Sequence, residues 1–191
     1  MQEPFLEPIL RKLRLRRVLP YIKEYGGCRL LDIGCGWVAE FLKTIEPYIA
    51  SGIGIDIKAP DLARGKIFTE RHNFKCSLPY ADASFDVVTM LAVLEHLEHP
   101  EEIVKDVCRV LDPSGYLIMT VPSRAAQPVL EFLAFRLGVI SRAEIVDHKT
   151  YYDRSSLFKL LGDSGFSMER HKYFQLGMNN FCLAVPARRE A

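Results

Sequence analysis

The sequence has no long apolar runs, no paired cysteine motifs and no pattern in its first residues that is typical of secretion. No apolar stretch approaches the ~20 residues of a membrane-spanning helix, and the first residues lack a basic region followed by an apolar one. The five cysteines are odd in number and form no C-x-x-C pair, which is typical of reduced thiols in an intracellular protein. We therefore expect a cytoplasmic protein.

The sequence also lacks an excess of either charge. Its 25 Lys and Arg residues face 24 Asp and Glu residues, giving a net charge of +1, so an anionic partner would need a local basic patch. Five basic residues do crowd into positions 11–17, within an amphipathic helix predicted over residues 5–19 and interrupted by Pro20. This patch has no interleaved aromatics, so we expect no specific nucleic-acid partner. Peripheral contact with a membrane surface stays open.

With 191 residues, of which 49% are apolar and 26% charged, the chain has the profile of a single globular domain, residues 1–191. Residues 1–25 form a predicted basic helical extension. Beyond them, short β-like runs alternate with helical ones, which predicts an α/β domain with a largely parallel sheet. The predicted strands span residues 29–33, 53–57, 85–91, 116–121, 166–174 and 180–185, and the predicted helices span 38–49, 103–111 and 155–163.

The most informative segment joins the first strand to a glycine turn. Asp32 lies near the end of that strand, Gly34-Cys35-Gly36 follows, and Asp56 comes 20 residues after Gly36. Glycines let a ligand approach the main chain, and a carboxylate ending the second strand can bind ribose hydroxyls. The pattern also fits a dinucleotide fingerprint, which leaves a nicotinamide-dependent oxidoreductase as an alternative. Asp32 argues against it, because a carboxylate there repels a pyrophosphate and suits a cationic amine and sulfonium.

These residues resemble the first motif of the class I S-adenosylmethionine-dependent methyltransferases, and the type 11-like members in particular. Residues 78–88, 94–97 and 109–116 resemble the segments around the family's fourth and fifth strands. The resemblance implies a three-layer, Rossmann-like fold whose seven-stranded, mostly parallel sheet has a reversed last strand. It also implies S-adenosyl-L-methionine as cofactor.

The resemblance assigns nine residues to the cofactor. From the methionine end to the ribose, the adenine and the sulfonium, these are Asp32, Gly34, Cys35, Gly36, Asp56, Ile57, Ser77, Leu78 and Leu91. Val38 replaces the family's third glycine, so a catalytically silent cofactor-binding module is a second alternative. Asp32 could instead cap a helix or lie on the surface, and Trp37 could either cover the cofactor or pack in the core.

Methyl transfer requires alignment of the acceptor, and it requires a base only when the nucleophile carries a proton. His96 follows the fourth strand and His148 follows the fifth, so both are candidate catalytic residues. The sequence has no H-E-x-x-H motif and no cysteine cluster, and we therefore predict no metal site.

Residues 123–153 are the predicted acceptor-site or lid insertion. Within them, residues 129–140 are too apolar for a helix with one core-facing stripe. Two readings stay open: a helix buried between this insertion and the sheet, or an apolar acceptor channel or membrane contact. The predicted function is methyl transfer to oxygen or nitrogen of a small-molecule acceptor, or of an acceptor linked to a lipid or a glycan. The sequence does not indicate an oligomeric state.

Overall fold

A computed structural model describes residues 6–73 and 77–187, and it is built around one eight-stranded sheet. In spatial order the strands run β3-β4-β2-β1-β5-β6-β8-β7. Their bounds are Cys28–Ile33 (β1), Ile49–Asp56 (β2), Leu62–Arg64 (β3), Ile67–Arg71 (β4), Phe85–Leu91 (β5), Leu111–Pro122 (β6), Phe166–Phe174 (β7) and Asn179–Pro186 (β8).

Six helices flank or extend this sheet within the described residues. They are Glu7–Tyr25 (α1), Glu40–Ile45 (α2), Pro100–Val110 (α3), Gln127–Phe132 (α4), Arg142–Asp147 (α5) and Arg154–Asp163 (α6). Short 3₁₀ turns occupy Glu46–Tyr48, Leu94–His96 and Arg124–Ala126, and a π-helical turn at Leu133–Leu137 continues α4.

The sheet has the predicted mostly parallel topology. Strands β4, β2, β1, β5 and β6 are joined by parallel pairings, whereas β8 is antiparallel to both β6 and β7. This confirms the reversed last strand. The six strands predicted from the residues include neither β4 nor β3, and β3 is a three-residue edge strand that pairs antiparallel with β4 and exceeds the implied seven. All three of its residues are exposed, so no apolar alternation marks it in the sequence.

Successive side chains of a strand point to opposite faces of the sheet, so they pack into two separate hydrophobic cores, one on each face. Leu31 and Val88 belong to the core covered by α3 and α6, whereas Leu30 and Val87 belong to the core covered by α1 and α2. The domain therefore has three layers. None of its helices, over the residues described, is long and apolar enough to cross a membrane.

Two helix boundaries differ from the predictions. Helix α1 continues through Pro20 to Tyr25, because Val18 and Ile22 on either side are fully buried and their burial outweighs one lost main-chain hydrogen bond. The helix predicted over residues 38–49 is confined to α2, and β2 already begins at Ile49. Pro47 explains the early end, since it has no main-chain N–H to donate to the carbonyl four residues back, and the chain continues as the 3₁₀ turn Glu46–Tyr48.

Candidate functional site

The glycine turn after β1 is fastened to the neighbouring strand β2. Main-chain N–H groups of Gly34 and Cys35 both donate to the carbonyl of Ile55, at 2.7 and 3.2 Å. The next N–H, that of Gly36, donates to Oδ2 of Asp56 at 3.0 Å. Because β1 and β2 are parallel neighbours, their carboxyl ends meet at one edge of the sheet, which brings the turn and Asp56 together.

The two positions of the turn require glycine for different physical reasons. Both have positive φ angles, +77° at Gly34 and +71° at Gly36. A Cβ atom at Gly34 would collide with Cγ2 of Val93, whereas a Cβ at Gly36 would meet no atom within 4 Å. Gly34 is thus required for packing, and Gly36 leaves open space beside the main chain. Val38, at the position of the missing third glycine, is 49% exposed.

Asp32 is a buried carboxyl group inside β1, and it is neither a helix cap nor a surface residue. Only 2% of it is exposed, and its Oδ1 accepts a hydrogen bond from Oγ1 of Thr89 on β5 at 2.6 Å. Burial raises the pKa of Asp32 to about 7; the Thr89 hydrogen bond opposes this shift and the charge of Asp56 adds to it. A cation beside Asp32 would favour its charged form. Thr89 was not predicted, because the strand pairing that places it here is not visible in the sequence.

Asp56 is the last residue of β2, and its carboxylate already accepts hydrogen bonds from two main-chain N–H groups. Besides the Gly36 bond, Oδ1 of Asp56 accepts the N–H of Lys58 at 2.7 Å. Each carboxylate oxygen has a second acceptor position, so hydroxyl groups can still bind. Exposed apolar side chains stand on both sides: Ile57 is 53% exposed and Trp37 is 65% exposed. The reading of Trp37 as a core residue is therefore wrong.

Cys35 contributes its main chain to the turn, and its thiol is unreactive. The side chain is buried, and burial, with the charges of Asp32 and Asp56, raises the pKa of the thiol far above its usual range. A protonated, buried thiol is a poor nucleophile. Cys28, Cys108 and Cys182 are likewise not joined in disulfides, whereas Cys76 lies outside the described residues.

The segment that precedes β5, where the adenine pocket is predicted, is held by a charged pair of α3. Oδ2 of Asp106 accepts the main-chain N–H of Leu78 at 2.6 Å. The guanidinium of Arg109 donates to the carbonyls of Leu78 and Tyr80, at 3.2 and 2.7 Å, and its Nε donates to Asp106 at 2.6 Å. The side chain of Leu78 is buried in the core, whereas Ser77 is exposed. The i, i+3 spacing of Asp106 and Arg109 indicates in the sequence that the two side chains can pair on a helix. It does not indicate that they bind the segment before β5.

On the other side of β1, Leu91 ends β5 half-buried and pairs with Thr120 of β6. Directly after it, a 3₁₀ turn carries Glu95 and His96. The two candidate histidines meet here: the ring centroids of His96 and His148 are 4.8 Å apart at an interplanar angle of 72°. Donor atoms of Glu95, His96 and His148 all lie within 4.8 Å of one another.

Each imidazole in this cluster is oriented by a neighbour. Nδ1 of His96 lies 3.0 Å from Oδ2 of Asp147, and Nδ1 of His148 lies 3.1 Å from the hydroxyl of Tyr151. Burial, and secondarily the neighbouring His96, lowers the pKa of His148 to about 4, although Asp147 opposes the shift. His148 is therefore neutral at pH 7. Glu95, which is only 1% exposed, and Tyr151 are members of this cluster that the site prediction did not include.

The apolar stretch 129–140 lies mostly at the surface. Phe132 is 55% exposed, Phe135 46% and Leu137 56%, whereas Ala134 and Ile140 are buried. The reading of this segment as a helix buried between insertion and sheet is therefore wrong. Its end contacts the residue that precedes α1, because the N–H of Leu6 donates to the carbonyl of Val139 at 3.5 Å.

Comparison with known proteins identifies the family. A family model described as a methyltransferase domain matches residues 5–171. Among curated proteins, 27-O-demethylrifamycin SV methyltransferase of Amycolatopsis mediterranei is 36% identical over 126 residues, covering 59% of this chain and 45% of the relative. The ubiquinone biosynthesis O-methyltransferase of Thiobacillus denitrificans is 29% identical over 114 residues, covering 55% of this chain and 49% of the relative. The chain thus spans about half the length of these two relatives.

Solved structures share the fold at low sequence identity. The crystal structure of an S-adenosylmethionine-dependent methyltransferase from Mesorhizobium loti superposes with a TM-score of 0.69 at 19% identity, covering 92% of this chain and 97% of that one.

Proposed function

The chain belongs to the class I S-adenosylmethionine-dependent methyltransferases, and from this membership we propose that it transfers a methyl group from S-adenosylmethionine to a small-molecule acceptor. The single observation that carries the proposal is the edge formed by β1 and β2. There the open Gly36 turn, the Asp56 carboxylate and the buried Asp32 lie together. The family supports this function over the nicotinamide-dependent alternative.

The residues at this edge fit S-adenosylmethionine. Gly36 offers main-chain surface without steric hindrance, and Asp56 has acceptor positions left for the two ribose hydroxyls. Ile57 and Trp37 expose apolar surface that suits an adenine ring. In this proposal Asp32, with the main chain of Gly34, Cys35 and Gly36, faces the methionine end.

The remaining predicted contacts are assigned from the same edge. Ser77 and the main chain of Leu78 border the adenine, held in place by Asp106 and Arg109, and Leu91 lies towards the sulfonium. The cofactor supplies an activated methyl group. The chain must align the acceptor with it and exclude water.

We assign His96 and His148 to the acceptor. They lie together beyond the carboxyl end of β5, the strand next to β1, and a hydroxyl nucleophile must lose its proton at this place. Oxygen is the preferred target, because the two relatives named above include an enzyme whose name states O-methyl transfer and one that acts on a 27-O-demethyl compound.

The acceptor side also favours an apolar or lipid-linked molecule. Phe132, Phe135 and Leu137 of the insertion expose apolar surface, and Lys12 and Arg16 of α1 are exposed cations. Exposed aromatic and basic side chains together suit an anionic membrane surface. Peripheral contact with such a surface would give the insertion, residues 123–153, access to a lipid-linked acceptor.

Calorimetry with S-adenosylhomocysteine tests the cofactor half of the proposal. We expect the wild type to bind and Asp56→Ala to lose binding by at least tenfold, since a charged hydrogen bond contributes about 1.5–3 kcal/mol. Asp61→Ala is the matched control, because Asp61 also accepts a main-chain N–H, that of Arg71 at 3.2 Å, but lies beyond the turn. Absence of wild-type binding, or equal binding by Asp56→Ala, would refute the proposal.

A turnover assay tests the enzymatic half. Wild-type protein with S-adenosylmethionine and a panel of phenolic and quinol acceptors, with and without apolar tails, should release S-adenosylhomocysteine in an acceptor-dependent way. Binding of the cofactor without product across the panel would instead favour the catalytically silent module.

A further inference from the structure

The cluster beyond β5 combines donor groups from two distant parts of the chain. Glu95 and His96 lie in the 3₁₀ turn Leu94–His96, and His148 lies directly after α5. One donor atom from each of the three residues lies within 4.8 Å of the other two. Donor atoms around a tetrahedral cation with bonds of about 2.1 Å are about 3.4 Å apart, so side-chain movements of about 1 Å would close the set.

Each of the two imidazoles has one ring nitrogen held by a neighbouring side chain. Nδ1 of His96 is engaged by the Asp147 carboxylate and Nδ1 of His148 by the Tyr151 hydroxyl. With Nδ1 held in this way, Nε2 of each ring is taken as the nitrogen that would bind a ligand. Histidines that bind metals characteristically hold their other nitrogen in such a contact, with a carboxylate as a frequent partner.

The main chain fixes the two segments against each other. The N–H of Lys149 donates to the carbonyl of Glu95 at 2.8 Å, and Nζ of Lys149 lies 3.0 Å from Oε1 of Glu98. Lys149 directly follows His148, and Glu95 directly precedes His96, so these bonds hold the three donors together in the folded chain. Glu95 is itself buried, at 1% exposure.

We propose that Glu95, His96 and His148 bind one divalent transition-metal cation. Two imidazole nitrogens and one carboxylate oxygen suit Zn²⁺, Mn²⁺, Fe²⁺ or Co²⁺ better than Mg²⁺ or Ca²⁺, which prefer oxygen ligands alone. Sequence spacing did not predict this site, because the Glu95-His96 pair and His148 lie far apart along the chain.

The metal site adds a catalytic detail to the proposed methyl transfer, and its catalytic role rests on that proposed function. Three protein ligands leave at least one coordination position open, and an acceptor hydroxyl bound there becomes more acidic. Its O–H bond breaks and the proton passes to solvent. The oxygen then forms a bond to the methyl carbon as the carbon–sulfur bond breaks, giving a methyl ether and S-adenosylhomocysteine. In this arrangement His96 and His148 would act as ligands, and the cation would lower the pKa of the hydroxyl so that solvent can take its proton.

Metal-binding measurements test the site without any acceptor. We expect purified, chelator-treated wild type to bind one Co²⁺ with a visible absorption band, and to bind Zn²⁺ in calorimetry. His96→Ala and His148→Ala should each weaken Zn²⁺ binding by more than tenfold. His99→Ala is the matched control, since His99 is exposed and lies outside the cluster, and it should bind as the wild type does.

A conservative variant guards against loss of folding. Asp147 is exposed on 63% of its side chain, so Asp147→Asn should fold normally yet weaken Zn²⁺ binding by about 10- to 100-fold through its contact with His96. The proposed metal site is wrong if the wild type binds no Co²⁺ or Zn²⁺. It is also wrong if His96→Ala, His148→Ala and Asp147→Asn bind Zn²⁺ as tightly as the control His99→Ala does. S-adenosylhomocysteine binding, measured on the same samples, separates that result from failure of the proposed function.

Discussion

The two halves of the candidate site are built in different ways. The cofactor edge comes mainly from one continuous stretch, β1 to the end of β2, and its geometry is set by main-chain hydrogen bonds and two glycines with positive φ. The acceptor cluster is made of side chains from distant segments; His96 and its partner Asp147 are 51 positions apart. Substitutions at the cofactor edge should therefore change the backbone, whereas those at the acceptor cluster should change chemistry and leave the fold intact.

The largest expected effect is on the backbone of the glycine turn. Gly34→Ala combines a left-handed conformation, which costs about 1–2 kcal/mol, with a collision against Val93, and overpacking costs about 1–3 kcal/mol. We expect the free energy of unfolding to fall by about 2–5 kcal/mol in denaturant titrations.

Gly36→Ala is the matched control for this variant. It has the same sign of φ but open space around the added Cβ, so it should lose only about 1–2 kcal/mol while S-adenosylhomocysteine binding weakens. Equal destabilisation by both variants would contradict the division of roles between the two glycines.

The next effect concerns the ionisation of Asp32. Its pKa rises from 3.8 when unfolded to about 7 when folded, so the folded state binds the proton more tightly. Ionisation of Asp32 therefore lowers the free energy of unfolding. This loss is absent below about pH 4, grows as the pH rises through this window and reaches its full size above about pH 7. Asp32→Asn should therefore raise the free energy of unfolding by about 2–4 kcal/mol at pH 8, and little at pH 4.

Cofactor binding should depend on pH in the opposite direction, through the same carboxyl group of Asp32. If the ionised carboxylate faces the cationic end of the cofactor, wild-type affinity for S-adenosylhomocysteine should fall about tenfold from pH 8 to pH 6. Asp32→Asn should bind more weakly and nearly independently of pH. The same slope in calorimetry of both proteins would show that another group is titrating.

The smallest expected effect on stability is at the exposed apolar surface of the insertion. Phe132→Ser should change the free energy of unfolding by no more than about 0.5 kcal/mol, because the side chain is 55% exposed. Sedimentation with vesicles containing phosphatidylglycerol should nevertheless decrease. Phe158→Ser on α6, where Phe158 is 63% exposed, is the control, and an equal decrease there would argue against a membrane-facing role for the insertion.

Most of the cofactor edge could be predicted because its information is local. A strand, a glycine turn and a second strand ending in Asp56 have fixed spacing, and parallel strands place their carboxyl ends at one edge. The same local reasoning placed no strand at β4 and missed β3, which has no buried face, and it placed the ends of two helices wrongly. In α1 tertiary burial of Val18 and Ile22 overrides Pro20, whereas after α2 the missing main-chain N–H of Pro47 interrupts the helix.

The sequence by itself determined the layered α/β fold, the family and the residues of the glycine turn, because hydrophobic period and short-range motifs specify these features. Only the tertiary structure decided which side chains act together. It buried Asp32 against Thr89, fastened the segment of Leu78 to Arg109, and brought His148 beside Glu95 and His96. Such contacts depend on strand order and loop paths, which place residues at close range whatever their separation along the chain.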